Sequence, residues 1–304
     1  MVVTAVALAV MSVLLADPIP RWLSKARWTW HDPVGGLVLW QSIGLAAGLS
    51  LCGCFLVLGF GNLGPSLPEA LIAFWRDTAD GVPFRGIGAA DAACLLIAAG
   101  LALRLFWTLL RSVRRVLAVR RTQRDALDVL ATPWPNDAGV LVLDHPSAVA
   151  YCLPGNKSRL VISSGATERL SRDQLNAVLT HERAHLSHRH DLVVLPFVAW
   201  GAALPFSVGV RRAQANVALL VEMMADDAAV QAGQADALIA ALNRMRPASV
   251  RNLGGVDQDI ASEVRRHRLQ NPSRGTTRLR SASLAASALL LLVPTLVIVV
   301  PALI

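Results

Sequence analysis

Three long apolar runs limit what this chain can become more than any other feature. Residues 35–60, 87–110 and 283–304 are each long enough to cross a bilayer as a helix, because a hydrocarbon core of about 30 Å takes roughly 20 apolar residues. A fourth run, 2–16, is at the lower edge of that length. It lacks a basic leading segment and a convincing cleavage site, so it reads as a span rather than a removed signal peptide. Only 16% of the 304 residues are charged, against about a quarter in soluble domains. The expected fold class is therefore a membrane α-helical protein of about four transmembrane helices. Asp91 and Arg104 interrupt the third run and are expected to snorkel to the interfaces. Cys52, Cys54, Cys94 and Cys152 offer no disulfide framework, since the first three lie in apolar runs.

Arginine placement orients the spans. Residues 111–125 carry Arg111, Arg114, Arg115, Arg120, Arg121 and Arg124 against Asp125 alone. Arg265, Arg266, Arg268, Arg274, Arg278 and Arg280 precede the last run. Loop 61–86 has Arg76 and Arg85 against Glu69, Asp77 and Asp80. By the positive-inside rule, 111–280 is cytoplasmic, loop 61–86 is external and both termini face outward. The expected division is 1–110 for three spans and their loops, 111–280 for a cytoplasmic domain, and 281–304 for the last span. These arginines flank membrane spans without a DNA-binding motif, so no direct nucleic-acid binding is expected.

Within the cytoplasmic part, Ser171-Arg-Asp-Gln174 has the form of a capping box, which starts a helix by satisfying its free N–H groups. Leu175, Val178, Leu179, Ala184 and Leu186 then recur at helical spacing. On that helix lies His181-Glu182-Arg183-Ala184-His185. Residues four apart share a face, so His181 and His185 can address one metal ion while Glu182 lies beside it. This is the pattern of a zinc hydrolase, in which two imidazoles hold Zn²⁺ and the carboxylate takes a proton from water. A third ligand is needed. The next helical run, about 213–231, ends near Gly233 and carries Glu222 in an apolar stretch, with Asp226 one turn on. Two His and one Glu form a catalytic zinc set, and Asp226 can orient a ligand imidazole.

Segment 192–210 is also apolar. A single crossing there would put His181 and His185 on the opposite side of the bilayer from Glu222, although ligand bonds to zinc are only about 2 Å long. The segment is therefore expected to re-enter, bend or lie on the membrane, interrupted by Pro196, Gly201 and Pro205. His188 and His190, just before it, are read as solvated helix-end histidines. Ahead of the histidine helix, 140–142, 149–153 and 160–163 read as short strands with a turn at 154–157. An edge strand there could hold an extended peptide, but the sequence does not say which strand is the edge. Residues 247–271 are expected to be a linker with some helix.

Residues 150–155, 160–165, 170–175 and 181–191, followed by Glu222-x-x-Ala-Asp226, resemble the integral-membrane gluzincins. Among these the chain looks most like the BlaR/MecR-type antirepressor peptidases, with HtpX-like and CAAX prenyl-protein proteases as relatives. The resemblance covers about 144–233 and the membrane pattern on either side. It implies an α+β zincin-like metallopeptidase domain inserted before the last span. It implies zinc on His181, His185 and Glu222, Glu182 as general base, and Asp226 and Asp191 supporting the ligands. Arg268 corresponds to an arginine that follows the core in relatives and is a candidate oxyanion donor, although a positive-inside arginine is the commoner reading. The implied setting is a bacterial-type inner or plasma membrane, with the lipid bilayer as a partner.

The implied substrate is the peptidase itself or a winged-helix repressor of the BlaI/MecI kind, in signal transduction such as a β-lactam response. Relatives of that type carry a penicillin-binding sensor domain after the last span. None follows here up to Ile304, which puts direct β-lactam acylation in doubt. The alternative is general membrane-protein quality control of the HtpX kind. A non-catalytic scaffold is disfavoured by the intact His181, Glu182, His185 and Glu222. Assembly as a homo-oligomer stays open.

Overall fold

A computed structural model describes residues 1–155, 158–245, 258–271 and 277–299. Residues 156–157 of the expected turn, most of the expected linker, Arg274 and the end of the last apolar run lie outside these. Helices α1 (Val2–Ala16) and α2 (Pro18–Leu23) are followed by a short 3-10 turn, Arg27–Trp30, and then α3 (Pro33–Gly59). Pro18 and Pro33 each open a helix, where the missing N–H would have had no partner. Loop 61–86 contains a helix of its own, α4 (Leu67–Ala79), whose first turn is capped by the Ser66 hydroxyl accepting from the Glu69 N–H.

The next helix, α5 (Ala89–Leu130), has 42 residues and so is about 63 Å long. The third apolar run and the basic segment after it are one element. Hydropathy changes abruptly near residue 111, but Ala, Leu and Arg are all strong helix formers and nothing breaks the backbone there. The expected snorkelling is replaced by specific bonds. Arg104 Nη2 donates to the Ala203 carbonyl at 2.9 Å. Asp91 accepts from the Gly88 N–H and from Asn62 at the start of α5.

A four-stranded sheet follows, from β1 (Ala131–Trp134), β2 (Asp137–Leu143), β3 (Ala150–Leu153) and β4 (Arg159–Ser163), in the order β1-β2-β4-β3. The β2–β4 pair is parallel and the outer pairs are antiparallel. Both β1 and β3 are edges, and β3 lies against the histidine helix. After the short α6 (Ser164–Arg169) come α7 (Arg172–Ser187), α8 (His190–Ala203), α9 (Val208–Gln231), α10 (Ala235–Arg244), α11 (Gln258–Gln270) and α12 (Thr277–Val299).

Among the described residues, four helical stretches are long and apolar enough to cross a membrane: Val2–Leu23, Pro33–Gly59, Ala89–Leu130 and Thr277–Val299. This fits a multi-pass membrane protein with a small sheet in the domain between the last two. Helix α8 has 14 residues, about 21 Å, which is short of a hydrocarbon core of about 30 Å. The chain turns at 204–207 and α9 runs back along it. Gln41 of α3 and Gln214 of α9 donate to the α8 carbonyls of Val193 and Phe197.

Two apolar cores meet at α9. One gathers Val140 and Ile162 of the sheet, Leu175 and Leu179 of α7, Leu238 of α10 and Ala229 of α9. The other gathers Leu37, Trp40 and Ile43 of α3, Phe197 of α8, and Val217, Leu220 and Met223 of α9. Glu222 lies on the helix shared by both, so whatever it binds sits where the sheet domain joins the apolar helices.

Candidate metal centre

The position of α7 is set at its first turn. Ser171 Oγ accepts from the Gln174 N–H, and Gln174 Oε1 accepts from the Ser171 N–H. With the start fixed, Leu175, Val178 and Leu179 fill the sheet core, which directs His181 and His185 towards α9. Their Nε2 atoms are 3.2 Å apart. Glu222 Oε2 lies 3.5 Å from His181 Nε2, and Oε1 lies 3.6 Å from His185 Nε2. Three ligand atoms held tetrahedrally by one zinc at about 2.0–2.1 Å would be ~3.3–3.4 Å apart. The spacing and the His–His–Glu donor set therefore fit a zinc ion, and these three residues form a candidate metal cluster among the described residues.

Charge around the cluster is strongly biased. Burial opposes a proton on His181, but the bonds and charges of Asp226 and Glu222 outweigh it and raise its pKa to about 10. Burial lowers the pKa of His185 to about 4. Glu182 is pushed up to about 7, chiefly by burial, against the pull of His181; the Cys152 thiol of β3 hydrogen-bonds it. Burial would raise Glu222, yet the Arg265 guanidinium and the histidines hold it well below the usual carboxylate range. Asp226, buried in the same way, is held at about 2 by Arg265 and His181.

Asp226 stands behind His181, with Oδ1 3.0 Å from Nδ1, so the structure brings His181, Glu182, His185, Glu222 and Asp226 together. Two expected residues have other partners. Arg268 donates to the carbonyls of Trp30 and Met223 and pairs with Asp227. It fastens α11 to α9 and the Arg27–Trp30 turn, so its guanidinium is engaged away from the three ligand atoms. Asp191 pairs with Arg120 of α5 at 2.9 Å, and the group against His185 is His190, Nδ1 to Nδ1 at 2.9 Å. His190 is only 2% exposed, which corrects its reading as a solvated helix-end residue.

The residue that sequence reasoning missed is Arg265, one helical turn before Arg268. It grips both Asp226 oxygens at 2.7 and 2.8 Å and reaches Glu222 Oε2 at 2.9 Å. The one available signal was a requirement: two carboxylates one turn apart on a buried face need a cation. Six arginines precede the last span, and the membrane rule already explained all of them.

No curated protein and no solved structure matches the chain. A family model does, described as peptidase family M48, over residues 114–248. That interval contains α7, α9, the sheet and most of the basic half of α5. Together with the His–His–Glu cluster and the four apolar helices, the match to peptidase family M48 supports a membrane-type zinc metallopeptidase.

Proposed function

We propose that the chain is a zinc-dependent integral-membrane endopeptidase that cuts peptide bonds on the cytoplasmic side. The observation that carries this reading is the 3.2–3.6 Å triangle of His181, His185 and Glu222, with the buried Glu182 carboxyl close enough to feel the charges of His181 and Glu222. His181, His185 and Glu222 would hold the metal. When bound, zinc supplies Lewis acidity for a carbonyl and acidifies water. Glu182, near pKa 7 through burial, takes the proton from attacking water and returns it to the leaving amine. Arg265, together with His181, keeps both Glu222 and Asp226 ionised. β3, an edge strand beside α7, can take an extended peptide by backbone pairing.

The substrate is either the peptidase itself or a winged-helix repressor, the reading suggested by the sequence resemblance, or else membrane-attached clients. The junction of the two cores at α9 packs the residues flanking Glu222 against α3, which suits a membrane-attached client and equally a self-cleaved segment near the spans. The deciding experiment uses full-length protein in membranes, wild type against Glu182→Gln. Loss of about 10²–10⁴-fold in peptide cleavage is expected, the usual contribution of a general base. A defined fragment of the chain or of a repressor, absent with Glu182→Gln, selects signalling. Broad degradation of membrane proteins selects quality control. Undiminished cleavage by Glu182→Gln would contradict both.

A further inference from the structure

On an unbroken helix, residues five apart point about 140° away from each other, at 100° per residue. His190 nevertheless faces His185, with the two Nδ1 atoms 2.9 Å apart and the rings at 84°. The backbone achieves this at Arg189, the only non-glycine with positive φ (50°) among the described residues. That residue ends α7 and lets α8 restart at His190. A left-handed conformation costs a non-glycine residue of order 1–2 kcal/mol and persists only where its surroundings dictate it. Here they do. Asp191 is clamped by Arg120 at 2.9 Å, with side chains 5% and 9% exposed, and His188 stacks on His190 at 5.5 Å.

The chemistry of the contact follows from which nitrogens face the cluster. His185 presents Nε2 to His181 and Glu222. A neutral imidazole that gives Nε2 to a metal keeps its proton on Nδ1 and needs an acceptor there. For His181 that acceptor is Asp226. For His185 the facing atom is His190 Nδ1; acceptance there leaves the His190 proton on Nε2, a buried atom without a hydrogen-bond partner among the described residues. Resting on the metal-site reading above, we propose that His190 is the positioning residue for ligand His185, holding its ring and tautomer through Nδ1. Arg120 of α5, through Asp191, fixes His190 in turn. The two histidine ligands are thus backed differently, one by a carboxylate and one by a neutral imidazole.

The test is zinc affinity by chelator competition on full-length protein in detergent, with the visible spectrum of the Co²⁺-substituted form as a second readout. His190→Leu keeps the bulk and removes the acceptor. It should weaken zinc about 10–100-fold, the usual cost of losing a hydrogen-bond partner of a ligand, and should alter the Co²⁺ bands. His190→Asn, whose side-chain oxygen can stand where Nδ1 stood, should restore affinity and spectrum towards wild type. His188→Ala, which loses the ring stacked on His190 and the Nδ1 contacts to Ser187 and the Ala184 carbonyl but leaves His190 Nδ1 in place, should bind zinc more tightly than His190→Leu. If His190→Leu does not fold, His190→Ala takes its place in the comparison. Wild-type affinity and spectrum in the acceptor-less variant would overturn the proposal, as would equal loss in His190→Asn. Failure of the wild type to bind zinc would instead remove the metal-site reading, and this inference with it.

Discussion

At the scale of single residues, the site is a balance between burial and neighbouring charge, and that balance makes a testable statement about pH. In metal-free protein the His181 pKa is raised from 6.5 to about 10. A raised folded-state pKa contributes stability that is complete below the unfolded value and is lost as pH rises through the folded one. Metal-free protein should therefore lose stability progressively from pH 6.5 towards 10. Zinc requires His181 without its Nε2 proton, so the stabilisation by zinc should grow over the same interval. Melting temperatures with chelator and with zinc, at several pH values, check both slopes. A zinc-induced rise in Tm that shrinks as pH increases would count against the assignment. The residues that identify this site were legible because helical spacing is a local property: His181 and His185 share a face whatever the rest of the chain does. Arg265 and His190 were not legible. Arg265 comes from a helix far along the chain, and His190 is aimed by one left-handed residue that no periodicity encodes.

At the scale of elements, the capped α7 and the long apolar helices could be read from pattern, whereas β1 and the extent of α5 could not. β1 has four residues including Pro133, and proline argues against a strand except at an edge, which is where β1 lies. The change of hydropathy near residue 111 divides α5 in the sequence, although helix formation depends on propensity and not on solvent. The α8–α9 hairpin carries the clearest prediction at this scale. Its tip holds Phe206, 92% exposed, and the end of α8 receives a hydrogen bond from Arg104 within the third apolar run. Such a tip suits insertion into the apolar layer. In a chain whose native thiols, Cys52, Cys54, Cys94 and Cys152, have been replaced, Phe206→Cys should resist water-soluble maleimide in intact membranes and react after detergent is added. Reaction in membranes as fast as at the exposed Gln123→Cys would show that the tip is in water.

At the scale of the whole molecule, arginine distribution and metal chemistry have to agree on one side of the membrane. In intact cells, Gln123→Cys and Asn271→Cys in the same thiol-free chain should be protected from impermeant reagents, while Asp80→Cys should be labelled. Labelling at position 123 from outside would reverse the orientation. The fold joins α7 to α9 across the intervening α8 hairpin, so a metal-dependent site requires the two helices to share one ion. The direct measurement is metal content of purified full-length protein by mass spectrometry, for wild type, Glu182→Gln and Glu222→Ala. One zinc per chain is expected for wild type and Glu182→Gln, and loss of zinc for Glu222→Ala, because three ligands become two. Full zinc content in Glu222→Ala would contradict the shared site.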